Sequence, residues 1–114
     1  IYLNCYDTPT ARDAPAIRGI AGPWLHTAYV KNGIDPSLWK DLTAAIFLDI
    51  QKVIEGWAQG RTGVIAVPTN GKLTPAAEGE FGESGDWINE IHPNKSGWRK
   101  LVQAWLPELP GSAT

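Results

Sequence analysis

The sequence predicts an α/β fold built on a parallel sheet, and three observations carry that expectation. Residues 1–7 (Ile-Tyr-Leu-Asn-Cys-Tyr-Asp) form a short apolar and aromatic run, residues 63–69 form a second, and one long amphipathic helical pattern lies between them. Strand, crossover helix and strand make a parallel βαβ unit, with a right-handed connection expected and a binding rim at the carboxyl ends of the strands.

The first run stops at Thr8-Pro9, a turn signal. Within it Cys5, the single cysteine, reads as a buried inert thiol; a lone cysteine excludes an internal disulfide framework and a multi-thiolate zinc site. Residues 10–33 are rich in Pro and Gly and read as a long irregular loop, with Trp24, His26 and Tyr29 available either to line a substrate pocket or to pack over the sheet end. Asp35-Pro36 opens a helix expected to run to about Gly60. On its wheel Leu38, Trp39, Leu42, Ala45, Ile46, Ile50, Val53, Ile54 and Trp57 share one arc, opposite Lys40, Asp41, Gln51, Lys52 and Glu55. Asp49 falls inside the apolar arc and is read as a rim carboxylate reaching water. The second strand ends at Pro68 and Asn70-Gly71. Residues 73–85, with Glu78, Glu80 and Glu83, read as a solvated loop, residues 94–106 as a last helix carrying Trp98, Leu101, Val102 and Trp105 on one face, and residues 108–114 as a fraying tail.

Size and charge narrow the possibilities. At 114 residues the chain is one domain at most, and a net charge of −2 with no basic run offers nucleic acid no electrostatic footprint. No stretch approaches the roughly 18 apolar residues of a membrane span. Two parallel strands cannot cover both faces of a sheet, and Ile1 opens the chain within a strand pattern, with no initiating Met or leader motif. A piece of a longer protein is therefore expected.

The chemistry concentrates in residues 86–98, Asp-Trp-Ile-Asn-Glu-Ile-His-Pro-Asn-Lys-Ser-Gly-Trp. Pro93 keeps His92 off helical backbone angles, and Asn94 is a good N-cap for the helix that follows, so the imidazole is presented from a loop braced by a helix. The run resembles the last sequence block of the SGNH hydrolases, the GDSL-type esterases and lipases, through His92, Pro93, Gly97 and Trp98. It departs from that block at Asn89, three residues before the histidine, where those enzymes carry Asp. The resemblance implies a three-layer α/β/α flavodoxin-like fold, of which residues 1–114 are the C-terminal part, completed by an N-terminal half of the same protein. It also implies a serine nucleophile and an oxyanion hole from that half, a small-molecule ester as substrate, and no metal or organic cofactor.

Within this chain His92 is the candidate general base, and Asn89, Asp86 and Glu90 are candidates for orienting or polarising it. If residues 86–92 are extended, alternation puts Asp86, Glu90 and His92 on one side; if they turn tightly, Asn89 comes under the ring. The turn is the preferred reading, with Asp86 or Glu90 adding negative potential; a helix-start ion pair for Glu90, with no catalytic part, is the alternative. Replacing Asp by Asn in a serine-protease triad lowers the rate by about 10⁴. Ser37 and Ser96 sit at helix starts, Ser112 lies in the tail, and Ser84 lacks the strand-turn-helix setting of a nucleophile elbow. Trp24 and Trp87 are the tryptophans expected at the surface and are candidate substrate-binding residues. A carbohydrate-binding module using them as stacking platforms is the competing reading, and a degenerate SGNH relative a third.

Overall fold

Strands β1 (Tyr2–Asn4) and β2 (Ile65–Val67) pair in parallel in the computed structural model, which describes residues 1–111. Tyr2 stands opposite Ile65, Leu3 opposite Ala66 and Asn4 opposite Val67, and the ladder is extended by Ile65 N donating to Ile1 O and Cys5 N to Val67 O. Both strands are shorter than the apolar runs at 1–7 and 63–69. Tyr6 adopts φ 56°, which takes the chain out of extended geometry, and the Thr69 amide turns back onto Val67 O. The result is a mixed α/β arrangement with a two-stranded parallel sheet. Ser112 and the last residues of the expected tail lie outside the described residues.

Three α-helices accompany the sheet among the described residues: α1 (Trp24–Lys31), α2 (Trp39–Gln59) and α3 (Lys95–Trp105). The first corrects the expectation of an irregular loop over 10–33. Pro23 sits at its N-cap with no side-chain hydrogen bond to offer, so no local capping signal marks its start. For α2 the Asp35 side chain accepts from the Ser37 amide, capping a 3₁₀ turn (Pro36–Leu38) that feeds the helix, and Gly60 follows its end. The predicted arc is only partly covered: Trp39, Leu42, Ile46, Ile50 and Ile54 are half-buried and Leu38, Ala45, Val53 and Trp57 exposed, while the fully buried residues of α2, Thr43 and Ala58, lie outside that arc. Asp49 is exposed, as read from the sequence.

Helix α3 begins at Asn94, whose Oδ1 accepts from the Gly97 amide at 2.9 Å while its Nδ2 donates to Gly85 O. Its predicted apolar face divides. Leu101 is buried, and Trp105 packs its ring 5.9 Å from Tyr2 and donates Nε1–H to Asn4 Oδ1; Trp98, 55% exposed, and Val102 face outward. A core of Leu73, Ala76, Trp87 and Leu101 lies beneath the helix. Two of its members come from residues 73–85, a stretch expected to be wholly solvated, of which Glu78, Glu80 and Glu83 are indeed exposed. Gly97 is buried where the first turn of α3 crosses the Asp86 carbonyl, and a Cβ there would run into that oxygen and lie 2.9 Å from Pro93 Cβ. Gly97→Ala is expected to destabilise the fold by about 1–3 kcal/mol, measured as a lower midpoint of denaturant unfolding with an unchanged slope.

Candidate functional site

The block ahead of α3 is folded into a tight loop. The Ile88 amide donates to His92 O at 2.9 Å, and Trp87 bridges Pro93 on one side and Ser84 on the other. Inside the loop Asn89 is buried, and its Oδ1 accepts from the amides of Ile91 at 3.0 Å and His92 at 2.9 Å. The same atom lies 3.1 Å from His92 Nδ1. Of the two courses open to residues 86–92, the chain takes the turn.

The protonation pattern of the ring follows from these contacts. Two main-chain N–H groups point at the Asn89 atom, so it is the carbonyl oxygen and not the amide nitrogen. An acceptor facing Nδ1 requires Nδ1 to carry the proton in the neutral ring. The lone pair is then on Nε2, which makes no hydrogen bond among the described residues. The side chain is exposed, so that nitrogen is open to an incoming group.

The two nearby carboxylates make their hydrogen bonds elsewhere, and neither bonds the ring. Asp86 is buried; its Oδ2 accepts from the Thr74 amide at 2.6 Å and from Lys100 Nζ, and Ser96 also bonds it. Burial opposes its ionisation, yet the hydrogen bonds from Lys100, Thr74 and Ser96 and the Lys100 charge win and hold its pKa down to about 2. The charge is thereby neutralised at the α3 side of the loop.

Glu90, fully buried, takes the amides of Leu25 (2.9 Å) and His26 (2.7 Å) at the start of α1, together with the Arg12 amide (3.1 Å). It supplies from sequence position 90 the cap that Pro23 cannot. The ion pair expected of it at a helix start is absent among the described residues: Glu90 binds main-chain amides instead, and no hydrogen bond joins it to His92. Arg12, also fully buried, donates to the carbonyls of Glu80 (2.8 Å), Gly82 and Asn89 (2.9 Å). Burial pulls its pKa below the usual guanidinium value, against the attraction of Glu90 and Glu80.

Trp87 is corrected as well: it is 3% exposed and belongs to the core, so it cannot meet a substrate, whereas Trp24 is exposed as expected. Trp57 and Trp98, assigned to apolar helix faces, are the additional exposed tryptophans. Ser84 Oγ accepts from the Ala77 amide, a structural tie within the loop.

The sequence offered no signal for Arg12 as a tie between loops, nor for Asp7. The Asp7 carboxylate accepts from the amides of Thr8 (2.7 Å), Gly71 (2.7 Å) and Leu73 (2.6 Å), joining the loops that follow β1 and β2. Between those loops lies a cleft of about 780 Å³, walled by Asp7, Arg12, His26, Trp39, Thr43 and Phe81 among others. A second hollow of about 590 Å³ runs along α3 past Ile88, Pro93, Trp98 and Val102. His92 lines neither of the two. No family model matches the chain, and neither the curated proteins nor the solved structures contain a match to it.

The Asp86 carboxyl titrates lower in the fold than its ordinary 3.8, so its contribution to stability is present above about pH 4 and lost as pH falls through about 2. Asp86→Asn is expected to lower the unfolding free energy by about 1–2 kcal/mol at neutral pH. In pH-dependent denaturation curves the gap from the parent should close between pH ~4 and ~2.

Proposed function

We propose that this chain supplies the general base of a carboxyl-ester hydrolase of the SGNH type, with the serine nucleophile and oxyanion donors coming from another part of the same protein. The observation that carries the reading is the held imidazole. Asn89 fixes the proton on Nδ1 and leaves the Nε2 lone pair of the exposed His92 side chain open to an incoming group, on a largely buried loop braced by α3. The resemblance of His92, Pro93, Gly97 and Trp98 to the SGNH block supports the same reading, as does the parallel sheet behind it. On this reading the sheet is completed by further strands and covered by further helices into a three-layer fold.

The chemistry is acyl transfer. His92 Nε2 takes the proton of the serine hydroxyl as its oxygen bonds to the ester carbonyl carbon. The protonated ring then gives that proton to the departing alcohol as the carbon–oxygen bond breaks. Water repeats the sequence against the acyl-enzyme, with His92 again accepting the proton and returning it to the serine oxygen, so that the free acid leaves. Asn89 orients the ring through both halves without adding charge. The penalty of about 10⁴ for an amide in the serine-protease triad arises from the wrong tautomer. Here the main-chain donors of Ile91 and His92 turn the amide oxygen toward Nδ1, so the penalty is expected to be far smaller.

The test uses the natural protein that contains this sequence, assayed on short-chain acyl esters. His92→Ala is expected to lower kcat/KM by about 10³-fold or more while a serine-directed phosphonate still finds its target weakly; undiminished turnover would sink the assignment. Among Asp86→Asn, Asn89→Ala and Glu90→Gln, the Asn89 change should lower kcat most, once each variant is compared at equal folded fraction. Asn89→Asp should retain the turn and exceed Asn89→Ala in rate by at least about tenfold.

A further inference from the structure

We propose that Arg12 is a positioning residue for His92, acting through the main chain of Asn89, whose side-chain oxygen faces the ring. Its catalytic meaning rests on the general-base reading of His92. The structural basis is the peptide unit joining Asn89 to Glu90, which the segment 12–14 grips on both edges. Arg12 Nη2 donates to Asn89 O at 2.9 Å, and the Glu90 amide donates to Ala14 O at 3.0 Å. A trans peptide is planar, with its C=O and N–H on opposite sides, so two such bonds fix its rotation about the chain. Among the described residues Arg12 is the sole donor to Asn89 O.

That peptide is also part of the turn that holds the imidazole. It lies within the ring closed when Asn89 Oδ1 accepts from the Ile91 amide at 3.0 Å. Were it to turn over, Oδ1 would leave the Ile91 and His92 amides and His92 Nδ1 together. The guanidinium that prevents this is itself held. Arg12 is 1% exposed, its Nη1 donates to the carbonyls of Glu80 (2.8 Å) and Gly82, and its own amide donates to Glu90 Oε1 at 3.1 Å. The bonds from Nη1 already join residue 12 to residues 80–82. Nη2 extends the same rigid fork to the residue whose side chain meets the imidazole, a geometry that a lysine ammonium does not reproduce.

The experiment follows the His92 ring in the natural protein labelled with 15N-histidine, its signals assigned by their loss in His92→Gln, beside kinetics on short-chain acyl esters. With the ring neutral, the parent should show a protonated Nδ1 and an unprotonated Nε2. Arg12→Lys keeps the charge and loses the fork. At equal folded fraction it should lower kcat by about tenfold with KM changed less than about twofold, and its two ring nitrogens should move toward the averaged shifts of a tautomer mixture. Val67→Ala, which shortens a fully buried side chain in β2, controls for lost stability and should keep the parent's ring signals and kcat. The inference is overturned if Arg12→Lys keeps the parent's ring signals, or if Val67→Ala alters them equally. Should Arg12→Lys not fold, Arg12→Gln takes its place; if neither folds, Arg12 serves stability alone and the inference is overturned. Altered ring signals in Arg12→Lys, combined with undiminished turnover in His92→Ala, would uphold the hold of Arg12 on the ring and remove the general-base reading instead.

Discussion

The carboxylate of Glu90, buried against three main-chain amides, is the interaction on which the arrangement of this chain depends. The sheet is only two strands of three residues, so few backbone groups find partners in a regular ladder. Side chains take over that task. Asp7 satisfies amides after β1 and β2, Arg12 gathers the carbonyls of Glu80, Gly82 and Asn89, Asp86 ties Thr74 to Lys100, and Asn94 caps α3. A buried carboxylate is tolerable only when its oxygens are bonded, and Glu90 meets that condition through the start of α1 and the Arg12 amide. Removing any one of these groups would strand main-chain donors or acceptors in the interior, each worth about 1–3 kcal/mol.

That division of labour shapes the candidate site. The acids flanking His92 are spent on architecture, one neutralised by Lys100 and the other sharing its surroundings with Arg12, and the ring is left with an uncharged orienting group. Asn89 suits the position because it does two things at once: it closes the turn through the amides of Ile91 and His92 and sets the imidazole tautomer. A carboxylate could do the same and add charge; leucine or alanine could do neither.

Local signals in the sequence were dependable where the physics is local. Asp35-Pro36, Gly60 and Asn94 mark helix ends because capping acts within one turn, and the two apolar runs flanking a long helical period point to parallel pairing. Helix α1 was hidden because its cap comes from Glu90, 65 positions after Leu25. Trp87 looked exposed because it sits in a polar run, yet the bridges to Ser84 and Pro93 fold that run back over Leu73, Ala76 and Leu101. The turn at Asn89 was one of two courses compatible with the residues, since alternation and an Asn-initiated turn compete over so short a span. Arg12 and Asp7 gave no warning, because a buried ion bonded to distant carbonyls or amides has no sequence neighbourhood that reveals it.

The main chain after Asn89 has one more consequence. An asparagine converts spontaneously to aspartate when the next residue's nitrogen reaches back to its side-chain carbonyl carbon and closes a succinimide. Here the nitrogen of Glu90 is engaged with Ala14 O at 3.0 Å, and both residues are buried. Ring closure is hindered at its nucleophile and in the movement it needs, so the fold disfavours spontaneous loss of the amide beside His92.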